Sequence, residues 1–286
     1  MNRSWHTLTV LVADELLKEA VIGEFSAGPI DGVWERPAAG GYQEVVLYFP
    51  KGGLPPLAEA RVRRIFERNG LGPPEFRIGE EAEADWTREW RKGFSSFPIG
   101  QRFRVVPGWE EPPDPDSRIA LRIDPGMAFG TGTHETTQMV LEALEVLGRQ
   151  SPVLDLGTGS GILAIAARKL GANPVVACDT DPDAVAVARS NFVKNGVGPG
   201  LFVGSLDAVA TGSVRLVLAN LTAEAIAANL GDVARVLLPG GHAIFSGILG
   251  TQAGGLEPAM GDRGFVQENR TERGEWVSYR VRTGGH

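Results

Sequence analysis

Hydrophobic and polar positions in this chain follow two different rhythms. Over residues 1–79, strand-like and helix-like periods take turns. "WHTLTVLV" changes side at every residue, and "ADELLKEAVIGEF" then spaces its apolar residues as a helix does, with Asp14 as a suitable cap. "DGVWE", "YQEVVLYFP", the helical "PPLAEARVRRIFERNG" and a short strand "PEFRIGE" follow. The order βαββαβ in so few residues predicts a small α+β sandwich of the ferredoxin-like type. Its second helix carries Arg61, Arg63, Arg64 and Arg68, either a solvated face or a patch for a partner.

Residues 80–100 read as a linker with one short helix. Trp86, Trp90 and Phe94 share one side of it, to dock the helix on a neighbour or to line a substrate cleft. From about residue 101 the rhythm becomes apolar strand, helix, apolar strand. "SPVLDL" precedes "GILAIAARKLGA", and "PVVACD" precedes "PDAVAVARSNFVKNG". "LFVGS", "VRLVLAN", the helix "TAEAIAANLGDVARVLLPGG", "HAIFSGI", a helix near 252–262 and the pair "GFVQENR" and "GEWVSYRVR" complete it. Continuously apolar strands between helices predict a parallel sheet covered on both faces, a doubly wound α/β domain.

Composition narrows the function. At 286 residues two domains, or one large one with an appendage, are expected, and an apolar fraction of 43 % supports real cores. No stretch approaches the ~18 apolar residues of a membrane helix, and "MNRSWHTLTVLVADE" does not read as a signal peptide. The single Cys178 excludes an internal disulfide, and a cytoplasmic location is expected. A net charge of −7 argues against a large phosphate-binding face and leaves small ligands and basic protein partners open.

Two glycine-rich turns carry the candidate chemistry. "DLGTGSG" at 155–161 follows one strand and opens a helix, the crevice where open α/β sheets bind nucleotides. Its residues Gly157, Thr158 and Gly159 are expected to touch the ligand, since glycine admits close backbone approach and the helix start offers free N–H groups. A dinucleotide fingerprint needs glycine at 162, which is isoleucine here, so a ligand without a pyrophosphate is favoured. The next strand ends at Asp179, whose two acceptor oxygens suit a ribose; its other possible role is to cap the helix starting near Pro182. A nucleoside with no phosphates and a charged tail points to S-adenosylmethionine.

These residues resemble the seven-strand, class I S-adenosylmethionine-dependent methyltransferases and, more narrowly, the ribosomal protein L11 methyltransferases. The likeness is carried by "DWTREW", "DPGMAFGTGTHETT", "VLDLGTGSGILAIAA", "CDTDPDAV", "VLANLTAE" and "SGIL", of which "GMAFGTGTHETT" with "ANLTAE" is the specific pair. The resemblance implies a ferredoxin-like substrate-recognition domain at 1–79, a linker at 80–100 and a Rossmann-like methyltransferase domain at 101–286. It also implies cofactor contacts at Thr137, Gly157, Asp179 and Asn220. The implied substrate is ribosomal protein L11, free or on the large ribosomal subunit, methylated on lysine amines, with its N-terminal α-amine a second candidate acceptor. Neither a membrane nor a sequence-specific nucleic-acid partner is expected. The alternative is a class I methyltransferase acting on RNA or a small-molecule amine.

In that frame "GMAFGTGTHETT" is expected to fold over the cofactor from the far side, bending at Gly130 and Gly132. Thr136 and Thr137 can donate to a methionine carboxylate, and Phe129 can wall the transfer site. The other reading is a helix N-cap at "Thr133-His134-Glu135-Thr136"; His134 itself is expected to be a structural residue of the loop rather than a proton acceptor. Asn220, after the fourth buried strand, can accept a hydrogen bond from an incoming amine and aim its lone pair, or can simply be a turn residue. "Asn220-Leu221-Thr222-Ala223" lacks the Asn/Asp-Pro-Pro-aromatic run of methylases that act on planar amides and nucleobase amines.

Overall fold

The computed structural model describes residues 4–26, 30, 32–50, 58–82, 95–111, 117–124 and 130–284. The chain divides into two compact units, Met1–Phe94 and Ser95–His286, on separate sheets. Trp86, Trp90 and Phe94 of the expected linker helix, and Phe129, lie outside the described residues.

The first unit runs β1 (Ser4–Val12), α1 (Glu15–Ser26), β2 (Gly32–Pro37), β3 (Gln43–Pro50), α2 (Ala58–Arg68) and β4 (Phe76–Ala82). Its strands form an antiparallel sheet in the order β2-β3-β1-β4, the ferredoxin-like arrangement. Alternation does the sorting. Leu8, Val10 and Val12 of β1 and Val45, Leu47 and Phe49 of β3 point one way, and Leu17, Val21 and Phe25 of α1 with Val62 and Phe66 of α2 close over them. Asp14 caps α1 as expected, its Oδ1 accepting from the Leu17 N–H at 2.8 Å. On α2, Arg61 pairs with Glu24 at 2.8 Å and lies over the Phe25 ring, and Arg63 lies over Phe76, so half of the arginine row is engaged within the unit. Strand β4 continues three residues beyond position 79.

The second unit begins with three short strands, β5 (Phe97–Ile99), β6 (Phe103–Val106) and β7 (Ile119–Arg122), in a sheet of their own. Then come α3 (Glu135–Leu147), β8 (Val153–Leu156), α4 (Ile162–Lys169), β9 (Val175–Asp179), α5 (Pro182–Lys194), β10 (Gly200–Val203), β11 (Val214–Asn220), α6 (Ala223–Val236), β12 (Leu237–Leu249), α7 (Gly250–Asp262), β13 (Phe265–Arg273) and β14 (Trp276–Thr283). The main sheet has seven strands in the order β10-β9-β8-β11-β12-β14-β13. The first five are parallel, and β14 is antiparallel to both its neighbours. Helices α3 and α4 cover one face, with α5 packed beside α4, and α6 and α7 cover the other. This is the doubly wound seven-stranded sheet that the strand pattern and the resemblance led one to expect.

Two local expectations need correction. The helix expected to run to residue 241 stops at Val236, because Pro239 cannot donate an N–H and Gly240 sits at φ +68°. The chain turns early into β12, which pairs Leu237 with Val214, shifts register, and resumes with His242 beside Leu216. The β5–β7 sheet was not anticipated either. Its strands are three or four residues long, too short for a period, and its first turn is held by Glu145 of α3, which accepts from the Gln101 and Arg102 N–H groups.

Candidate active site

Strand register brings three expected residues to one edge. Leu156 of β8 lies beside Cys178 of β9 and Ala219 of β11, so Gly157, Asp179 and Asn220 leave the sheet side by side. Asn220 is itself level with Ser246 of β12. The strand order reverses here: β8 leads outward to β9 and β10, and the chain then returns to β11. A crevice at the carboxyl ends of such strands is the usual ligand position in open α/β sheets.

The turn after β8 is shaped by what each glycine must accommodate. Gly157 has φ +68°, and a Cβ there would stand 2.4 Å from Leu221 Cδ2. Gly161 has φ +84°, and its Cβ would stand 2.6 Å from Phe192 Cε1 on α5. The third glycine therefore serves helix packing, and its early position needs no pyrophosphate to explain it. Between them, the Gly159 N–H donates to Asp179 Oδ2 at 3.0 Å. Asp179 Oδ1 accepts from the Asp181 N–H at 3.1 Å, while Asp181 caps α5 by accepting from the Asp183 N–H at 2.8 Å. The capping role considered for Asp179 thus belongs to Asp181. Each Asp179 oxygen has accepted one bond and retains a lone pair for a ligand hydroxyl.

Thr158 departs from its expected role. Its hydroxyl donates inward to Asp155 Oδ2 at 2.7 Å, its N–H donates to the Cys178 carbonyl, and the residue is 5 % exposed. It braces the turn from behind. Asp155 is the partner that sequence reasoning passed over, although an acid inside an apolar strand is itself a signal. It is fully buried, accepts also from the Ala164 N–H at 3.1 Å, and its Oδ1 has no partner. Burial pushes its carboxyl up to about 7; the Asp179 charge adds to this, while the bonds from Thr158 and Ala164 oppose it. Burial likewise raises the Cys178 thiol to about 12, so that thiol is an inert core group.

The described part of the other glycine turn is bound to the first. Ser160 Oγ donates to the Gly130 carbonyl at 2.5 Å, and a Cβ on Gly132 (φ +88°) would meet Val105 Cγ2 at 2.8 Å. His134 is the N-cap of α3: its Nδ1 lies 3.3 Å from the Thr136 N–H and 2.7 Å from Thr136 Oγ1, and its ring meets Trp276 edge-on. The cap and the bend coexist. Thr136 turns its hydroxyl to this cap, and its carbonyl accepts from Ser246 Oγ at 3.0 Å. Thr137, fully buried, accepts from Asn220 Nδ2 at 3.1 Å. The amide N–H being engaged there, Asn220 Oδ1 is left buried and without a partner. Gly247, at φ +86°, keeps this corner open, since a Cβ there would press on the Leu221 carbonyl at 2.4 Å.

Chemically, this edge offers close backbone approach and carboxylate acceptors rather than a phosphate cradle. A helix N-terminus attracts phosphate, but here the Asp179 carboxylate occupies the Gly159 N–H at the start of the helix. Glycine lets the backbone approach, Asp179 can take hydroxyls, and an unsatisfied amide oxygen waits at the next strand. Among the described residues no group of side chains could hold a metal ion, and no helix is long and apolar enough to cross a membrane.

A family model described as "Ribosomal protein L11 methyltransferase (PrmA)" matches residues 54–283. The chain belongs to that family. The ribosomal protein L11 methyltransferase of Symbiobacterium thermophilum is 45 % identical over 213 residues, 73 % of this chain and 69 % of that one. The Geobacter metallireducens relative is 46 % identical over 195 residues, and the match spans 64 % of its length. The Pelotomaculum thermopropionicum relative is 37 % identical over 270 residues, 92 % of this chain and 88 % of its own. The crystal structure of a ribosomal protein L11 methylase from Lactobacillus delbrueckii subsp. bulgaricus superposes with a TM-score of 0.62 at 32 % identity, covering 68 % of this chain and all of that one. The family match runs through the end of β14 and so spans all seven strands of the main sheet, both glycine turns and the Asn220 corner.

Asp155 yields a pH-dependent expectation. Its folded pKa lies above the unfolded value, so its stabilising contribution is full below about pH 4 and is lost as pH rises through about 7. A gap of about 3 pH units corresponds to about 4 kcal/mol withheld from the fold in alkali. Asp155→Asn keeps an oxygen for Thr158 and Ala164 and removes the charge. Its melting temperature is expected to exceed the parent's at about pH 8.5, the gap narrowing toward about pH 5. Thermal melts of both proteins across that range check this; a gap constant with pH contradicts it.

Proposed function

We propose that this chain is an S-adenosylmethionine-dependent protein N-methyltransferase that methylates ribosomal protein L11 on lysine side-chain amines, with the N-terminal α-amine a second candidate acceptor. Family membership supports the methyl transfer and the substrate, since the relatives bear the name ribosomal protein L11 methyltransferase. The observation that carries the chemistry is Asn220, whose amide nitrogen is engaged by Thr137 while its buried oxygen has no partner. That oxygen is an acceptor waiting for a donor, and an amine is the donor this reaction brings.

Thr137, Gly157, Gly159, Asp179 and Asn220 would hold the cofactor. Asp179 takes the ribose hydroxyls, Gly157 and Gly159 let the backbone close on the nucleoside, and Thr137 retains its own O–H for the methionine carboxylate. Thr136 and Thr158 act as braces. S-adenosylmethionine, when bound, supplies a methyl group on an already electrophilic sulfonium.

The protein's task is the acceptor. A free lysine lies ~3.4 pH units above neutrality, so keeping its amine uncharged costs about 4–5 kcal/mol at pH 7, whereas an α-amine costs about 1. A site closed to water lowers that cost by disfavouring the ammonium. Holding donor and acceptor in line contributes about 7–11 kcal/mol. Asn220 Oδ1 accepts one amine N–H and turns the lone pair toward the methyl. His134 Nδ1 is committed to the α3 cap, so the arrangement favours positioning and desolvation over a strong base. The first unit serves as the recognition module for the protein substrate.

Three measurements test this reading. Asn220→Ala is expected to lower methyl transfer to purified L11 by roughly tenfold or more with S-adenosylmethionine affinity largely intact; normal turnover removes Asn220 from the mechanism. Asp179→Ala should weaken the cofactor by roughly tenfold in calorimetry while the melt stays cooperative. Equal affinity would sink the ribose assignment. A chain lacking residues 1–79 should bind cofactor and fail to methylate L11, and efficient methylation by it would move recognition to the second unit.

A further inference from the structure

Helix α5 and its C-cap residue supply a pair of side-chain amides, Asn191 and Asn195, that lie outside the Asn220 corner. Asn191 and Asn195 lie four residues apart on one face, about 6 Å along the helix. Opposite them runs the extended chain at Arg122 and Asp124, two residues apart and therefore about 6.7 Å. The spacings match, and the amides act as a substitute neighbouring strand. Asn195 Oδ1 accepts from the Arg122 N–H at 2.9 Å, and its Nδ2 donates to the Arg122 carbonyl at 2.6 Å. Asn191 Oδ1 accepts from the Asp124 N–H at 3.2 Å. Lys194, between them, forms an ion pair with the Asp124 carboxylate.

Asn191 also faces the other way. Its Nδ2 donates to the Ser160 carbonyl at 2.9 Å, within the turn whose Gly159 N–H orients Asp179. The Ser160 hydroxyl in turn donates to the Gly130 carbonyl. One amide, 1 % exposed, thus joins Asp124, the glycine turn and, through Ser160, Gly130. A leucine would fill similar space without demanding partners, and a buried amide is tolerated only when its bonds are all made.

We infer that Asn191 is a positioning residue for cofactor binding: it locks the 157–161 turn to the chain at Asp124 and Gly130, and so fixes where the Asp179 carboxylate points without touching the ligand. Asn195 supports it by holding Arg122. This rests on the reading of the turn as an S-adenosylmethionine site.

The test uses the full-length protein with two readouts. In Asn191→Ala, amide hydrogen exchange at Gly159, Ser160 and Asp124 should rise together by roughly tenfold, while strands β11 and β12 stay protected. The KM for S-adenosylmethionine should rise by roughly tenfold, with kcat at saturating cofactor within about twofold of the parent. Asn191→Asp, which keeps the acceptor for Asp124 and loses the donor to Ser160, should loosen the turn and leave Asp124 protected. It also decides the matter if the alanine variant does not fold. Ser160→Ala combined with Asn191→Ala should cost less than the sum of the two, as members of one network do. Turn amides that exchange at the parental rate in either folded variant overturn the inference, whatever the activity. Loosened turn amides in the variants, together with a parent that binds no S-adenosylmethionine, uphold the lock and sink the cofactor reading instead.

Discussion

The candidate site turns on one hydrogen bond from backbone to side chain, from the Gly159 N–H to the carboxylate of Asp179. It joins the ends of two adjacent parallel strands across the point where the sheet changes direction. Only a chain free to take φ +52° at Gly159 can present that N–H outward, and only an acid at the last position of β9 can meet it. Everything else at the edge is arranged around this contact. Thr158 and Asp155 brace it from beneath, Phe192 fills the space left by Gly161, and Leu221 fills that left by Gly157. The bond fixes a negative charge beside a helix N-terminus, which makes the crevice hospitable to a sulfonium nucleoside and poor for a pyrophosphate.

Much of this was legible beforehand, for physical reasons. Parallel strands buried on both faces read as apolar runs, so β8, β9, β11 and the later part of β12 stood out. The glycine turn and Asp179 announced themselves by their spacing. The amphipathic first unit, with its period-two strands, was equally readable. Asn220 could be placed because a polar residue ending an apolar strand has to face something.

What stayed hidden depends on contacts distant in sequence. Thr158 read as a ligand contact from its place in the glycine turn, yet its rotamer is decided by Asp155 three residues earlier. Nothing in "SNFVKNG" tells that its two asparagines face Arg122 and Asp124, some 70 residues back. The β5–β7 strands are too short to show a period, and the early start of β12 follows from Pro239 and Gly240 acting together, where periodicity alone suggested more helix. Propensity speaks for runs; individual polar side chains answer to tertiary neighbours.

The sealed position of Cys178 has a practical corollary. With one native sulfhydryl in the sequence, fully buried and held protonated to about 12, maleimide dyes and nitroxides have no accessible native target in the folded protein. One cysteine introduced on the surface of each unit would therefore carry the entire spectroscopic signal. Fluorescence or spin-label distances between the two units could be recorded without first stripping the chain of its own thiol.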